Sequence, residues 1–175
     1  MLRAWKLEVD LYEEVEADST ATGQAFAVVL IVAIAGGIGG GIAAIMAEDA
    51  KTLSFLWGLL VGIGTAIVGW LAWSVIAYLL GTTIFKGPQT EATVGQLMRT
   101  LGFSNTPRLL GIFAFVPYVG WLISLVGSVW ALIAGVIAVR QALDFSTWRA
   151  IGTCVVGWII YMVLVFIVAL LVPGI

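Results

Sequence analysis

The sequence predicts an all-α fold, a polytopic transmembrane helical bundle of five transmembrane helices with an N-terminal amphipathic acidic helix. Three observations lead there. The 175 residues are 62% hydrophobic and 10% charged, with mean hydropathy +1.13. A soluble domain carries about 25% charged residues, so the apolar surplus has to face lipid. The apolar residues are gathered into long uncharged runs separated by short polar stretches. Finally, the basic residues fall almost entirely on one side of a five-span arrangement, as lysine and arginine in short cytoplasmic loops do.

Taken in order, residues 1–22 form a cytoplasmic segment with two basic and six acidic side chains. A helical reading puts Leu2, Trp5, Val9 and Tyr12 on one face and Glu8, Asp10, Glu13, Glu14 and Asp18 on the other. The acidic balance is opposite to the basic start of a cleaved signal peptide, so the segment is expected to stay with the chain. Residues 23–175 then form the membrane domain. The first span covers 24–47 and is closed by Glu48 and Asp49; the second covers 52–80. Each exceeds the roughly 20 residues needed to cross about 30 Å of hydrocarbon. A polar stretch from Gly81 to Arg108 follows, with a short helix from Thr93 to Leu101 capped by the threonine.

Leu109 to Val139 is a run of 31 uncharged residues, long for one helix and short for two. Pro117 decides the division: Val116-Pro117-Tyr118-Val119-Gly120 joins a helix breaker to a glycine and reads as a turn at Pro117 and Gly120. This gives a short third helix over 104–117, with Arg108 counted in the loop at its start, and a fourth over 121–139. The fifth covers 150–172. Five spans put Arg3, Lys6, Lys86, Arg99, Arg108, Arg140 and Arg149 on one side and Lys51 on the other, whereas four spans would carry Arg140 and Arg149 across. The expected placement is therefore a cell (inner) membrane, with the N-terminus cytoplasmic and the C-terminus outside.

The first span carries two small-xxx-small pairs, Gly36 with Gly40 and Gly37 with Gly41, and the second carries Gly58 with Gly62. Such pairs let helix backbones approach, and these six glycines are expected to pack helices together. A leucine at Gly40 should then disturb the fold. Trp57, Trp121 and Trp148 fall near span ends, as an interfacial belt would, and Trp70, Trp73, Trp130 and Trp158 lie deeper. Gly39 to Ala44 fits G-x-G-x-x-A, but no strand precedes it, so it is no dinucleotide site.

The chain has no histidine and one cysteine, Cys154. Disulfides within the chain, the common zinc and haem ligand sets and every histidine-based catalytic arrangement are thereby excluded. No catalytic residue, cofactor site or metal site is expected, and nothing points to nucleic acid.

Several segments in order carry a resemblance: Glu8-Val-Asp-Leu-Tyr-Glu-Glu-Val-Glu-Ala-Asp18 before the first span, then Leu101-Gly102-Phe103 and Pro107-Arg108-Leu109-Leu110-Gly111. Val116-Pro117-Tyr118-Val119-Gly120-Trp121 and Val139-Arg140-Gln141-Ala142-Leu143-Asp144 continue it. In this order the chain resembles a bacterial member of the Yip1 family. The resemblance implies five membrane helices and a cytoplasmic N-terminus. Eukaryotic relatives are associated with transport-vesicle membranes and Rab-type GTPases. They carry a long cytoplasmic N-terminal region that this chain lacks, so a GTPase partner is not carried over.

The expected function is a non-enzymatic integral membrane protein that organises membrane or recruits partners. A small transporter, channel or lipid-translocating protein is the alternative. The expected partners are membrane lipids and a second copy or another membrane protein. Residues 1–22 sum to a charge of -4 from their two basic and six acidic groups. The loops at 81–108 and 140–149 sum to +3, from five basic groups against Glu91 and Asp144. The segment is expected to dock on the loops of its own chain, with Trp5, Val9 and Tyr12 giving apolar contact and Glu13 and Glu14 facing Arg99, Arg108, Arg140 and Arg149.

Overall fold

The computed structural model of the chain describes residues 1–47, 52–88 and 90–171. Among these, every regular element is helical. Two short helices open the chain, α1 (Leu2–Trp5) and α2 (Val9–Ala17), followed by the long helices α3 (Ala21–Met46) and α4 (Thr52–Thr82). Next come α5 (Val94–Ser104), a 3-10 helix over Thr106–Phe115, α6 (Gly120–Ala142) and α7 (Thr147–Leu171). Lys51 and the Glu48-Asp49 pair lie outside the described residues, as does the Pro173-Gly174 end.

Four helices, α3, α4, α6 and α7, are long and apolar enough to cross a membrane. The third crossing is built differently from the expected α-helix over 104–117. Pro107 sits in the first turn of the 3-10 helix, which packs against α3 and α6. At about 2 Å per residue its ten residues extend roughly 20 Å. The last turn of α5 lengthens this path. Gly102 packs on Ala25 at the start of α3, while Gly111 lies against Gly36, further along the same helix. Along α6 the order reverses, with Ser104 beside Gly135, Pro107 beside Gly127 and Ala114 beside Gly120. The end of α5 and the 3-10 helix thus run together as one crossing, parallel to α3 and antiparallel to α6.

Close backbone contact explains how a thin 3-10 crossing is held. A Cβ on Gly39 would collide with the carbonyl of Gly111 and lie 2.6 Å from that of Ile112. One on Gly127 would lie 2.8 Å from the carbonyl of Pro107. These glycines differ from most of those expected to pack. Gly37 and Gly41 do abut side chains of α4, Leu59 and Phe55, but a Cβ on Gly36, Gly40, Gly58 or Gly62 would meet nothing within 4 Å. Gly36 gives only its Cα to Gly111, and Gly40 and Gly58 line a shallow groove of ≈ 320 Å³. The spacing of four marks glycines on one face without telling whether a partner covers that face.

Arg108 also moves. Instead of the loop expected before the third helix, it occupies the 3-10 helix itself, two residues after its start at Thr106. Its neighbour Pro107 lies against Gly127 of α6, and the opening helix α1 packs on the same 3-10 helix.

The turn after Phe115 follows the expected sequence. Val119 N–H donates to the Pro117 carbonyl at 2.8 Å and Gly120 N–H to that of Val116 at 2.8 Å. Tyr118 takes a positive φ of 65° and is exposed, as are Trp57 and Trp121 at the same end of the bundle and Trp148 at the other.

Candidate functional site: the N-terminal cap

The opening segment forms a cap on one end of the bundle. It is two helices rather than one, broken at Leu7, whose φ of 56° ends α1 and turns the chain into α2. Leu11, Tyr12 and Val15 of α2 are buried, and Tyr12 is 0% exposed. Burial of its phenol raises its pKa above the usual tyrosine value. α2 packs on α5 and α6. The Trp5 ring lies 5.6 Å from that of Trp130 on α6, tilted by 58°. Val9 is half-buried, while Leu2, expected on the same face, is exposed.

Polar contacts fix the register. Arg99, on α5 and nearly buried, donates from Nε to the Val15 carbonyl at 2.8 Å and from a terminal nitrogen to the Glu16 carbonyl. A cation thus closes the carbonyl end of α2, where the helix dipole favours positive charge. Gln96 donates to the Glu16 carboxylate at 3.0 Å, and Gln141 donates to that of Glu13 at 2.8 Å while accepting from Arg140 Nε at 2.9 Å. α5 is itself pinned by a capping box between Thr93 and Gln96.

The expected charge pairing is rearranged. Glu14 pairs at 2.6 Å with Arg3 of its own segment, which also holds Glu8 at 2.9 Å. Arg149 reaches the Lys86 carbonyl rather than the cap, and Arg108, although α1 packs on the 3-10 helix that carries it, forms no ion pair with the cap carboxylates. The signal missed in the sequence is that an arginine near a helix end satisfies carbonyls as readily as carboxylates. The opposite net charges of the two surfaces therefore meet mostly through hydrogen bonds to neutral groups. Beside the cap, Arg140, Gln141, Asp144 and Thr147 line an open cavity of ≈ 470 Å³.

Glu16 is the carboxyl group that the cap perturbs most. Partial burial raises its carboxyl to about 7, Asp144 and Glu13 add to the rise, and Arg99 opposes it. The docked state therefore favours the protonated form relative to a released segment at the ordinary value of 4.5. The contribution to docking is complete below that value and is lost as pH rises toward about 7. Protease protection of residues 1–22 should be greater at pH 5 than at pH 8, and Glu16→Gln should flatten the difference. A pH dependence that survives this substitution would assign it elsewhere.

Among the described residues no group of three histidine, cysteine, aspartate or glutamate side chains is placed to hold a metal. What the fold defines is a polytopic helical membrane protein with a folded cap over one end. The chain matches the Yip1 domain over residues 9–170, and it belongs to the Yip1 family. Comparisons with curated proteins and with solved structures gave no match.

Proposed function

We propose that this Yip1-family chain is a non-enzymatic membrane organiser whose capped end recruits a membrane or protein partner. The observation that carries the reading is the cap itself. Its apolar face is spent on α5 and α6, while Asp10, Glu13, Glu14 and Asp18 are exposed beside the Arg140–Asp144 cavity. A segment held this way presents a fixed polar surface, which lowers the ordering cost of binding. Affinity capture of the full chain from native membranes in mild detergent tests it. A specific co-purifying protein that is lost when Asp10 and Asp18 become lysine supports the reading; repeated recovery of the chain alone at good yield overturns it.

In this reading the capped end faces the cytoplasm of a cell with an inner membrane. Arg3, Lys6, Lys86, Arg99, Arg140 and Arg149 belong to that end, even with Arg108 removed from the count. Five crossings then put the C-terminus outside. A reporter active only in the cytoplasm should be silent after Ile175, and strong activity there would reverse the assignment. The alternative, a small transporter, channel or lipid-translocating protein, is favoured by the placement of Arg108, and ion, solute and fluorescent-lipid flux in liposomes would separate the two.

A further inference from the structure

The opening helix α1 reaches further along the bundle than a cap on its end requires. At the end of α6, Gln141 holds the Glu13 carboxylate of α2. Halfway along the same helix, Trp130 packs against Trp5 of α1. At about 1.5 Å per residue these two contacts lie roughly 16 Å apart along the helix axis. α1 also packs on the 3-10 helix, whose Pro107 stands beside Gly127, one turn from Trp130. The segment therefore runs inward along α6, with Leu7 as the bend between α2 and the deeper α1.

The 23 residues of α6 extend roughly 34 Å, close to the about 30 Å of hydrocarbon in a bilayer, so the middle of this helix is at hydrocarbon depth. Exposure along α6 agrees. Val126 and Ile133 share a face with Trp130, one turn to either side, and both are exposed, as are Val129 and Leu132. From Ala134 to Arg140, where α2 and α5 pack, no residue is exposed. The surroundings of α1 are thus also those of bare hydrocarbon side chains on α6. α1 offers them a matching surface, since Ala4 is buried while Leu2 is 81% exposed and Met1 is exposed beside it.

The two cations of α1 fit this depth. The Arg3 guanidinium extends to Glu8, past the bend, and to Glu14 of α2. It therefore points toward the capped end, as a long basic side chain does when its stem lies in lipid and its charge stays in the polar layer. Lys6 is exposed next to the bend and has the same reach.

We propose that α1 is embedded in the leaflet on the capped side, with Met1 and Leu2 among lipid acyl chains, so that the bilayer itself holds the cap closed. The occupant of this face is lipid rather than another protein because the face is continuous with the lipid-facing surface of α6. The inference goes beyond partner recruitment and does not rest on it, since that reading uses the exposed carboxylates of α2.

The test uses the full chain in phosphatidylcholine vesicles, with Cys154→Ala removing the single native thiol. A nitrobenzoxadiazole label on Leu2→Cys is compared with one on Asp10→Cys, which is exposed on α2. Nitroxide carried on the lipid acyl chains should quench the label at position 2 several-fold more than that at position 10. Iodide on both sides of the membrane should give the reverse order. A second measurement keeps Cys154. Leu2→Asp removes little protein contact, yet it should make residues 1–22 about tenfold more sensitive to protease in vesicles presenting the capped end, because a carboxylate is costly in hydrocarbon. If the Cys154→Ala background does not fold, this variant decides alone. Equal iodide quenching at positions 2 and 10 would place α1 in water, and shielding of position 2 from both quenchers would show a protein on this face. Either result, or cleavage of Leu2→Asp at the wild-type rate, would overturn the proposal.

Discussion

Gly39→Ala is expected to destabilise the chain by about 1–3 kcal/mol, whereas Gly40→Leu, one residue further on, should stay within about 0.5 kcal/mol of wild type. The difference follows from what each added atom meets. A methyl at Gly39 would press on the carbonyls of Gly111 and Ile112, which are main-chain atoms of a crossing held on both sides and have no rotamer to escape into. A Cβ at Gly40 meets nothing within 4 Å, and the rest of a leucine side chain would extend toward lipid or the shallow α3–α4 groove. Thermal unfolding in mild detergent reads both. A Gly40 variant that unfolds earlier than the Gly39 variant would show that α3 meets α4, rather than the 3-10 helix, as its tight partner.

Trp5→Ser combined with Tyr12→Ser should release the cap and expose residues 1–22 to protease in vesicles that present the capped end. Removing a buried aromatic side chain costs about 3–5 kcal/mol. Tyr12 is fully enclosed, and the Trp5 ring packs at a tilt against that of Trp130. Raising the salt concentration should reproduce the release only in part. The two ion pairs of Arg3 are exposed, so solvent and salt screen them. The Arg99 bonds to the α2 carbonyls lie where salt screens little. Equal cleavage of wild type and double variant at low salt would show that the cap contacts do not hold the segment.

Much of the architecture was legible in the residues. Long uncharged runs have a single physical solution in lipid, and α3, α4, α6 and α7 begin and end within a few residues of the expected bounds. Pro117 and Gly120 were readable for the same reason, since a helix breaker beside a glycine admits few conformations. The third crossing was not. Hydropathy counts apolar residues and is blind to a change of helical type, and Ser104, Asn105, Thr106 and Arg108 look like loop until Gly102, Gly111 and Gly127 are seen against neighbouring backbones. Trp5 and Tyr12 announced an apolar face through helical spacing. The break at Leu7 did not show, because a left-handed leucine leaves no mark in composition. Arg99 was legible as a cation at the right end of the molecule, but its acceptors are backbone atoms that every sequence contains.

The construction of the third crossing bears on how the chain enters the bilayer during synthesis. A ten-residue segment carrying Arg108 near its start gains too little from hydrocarbon to be released into lipid by itself, given the cost of one arginine. Its stability comes from α3, made earlier, and from α6, made later. The segment is therefore expected to insert together with α6, as a hairpin folded at Pro117, so that the order of synthesis would differ from the order of stable insertion.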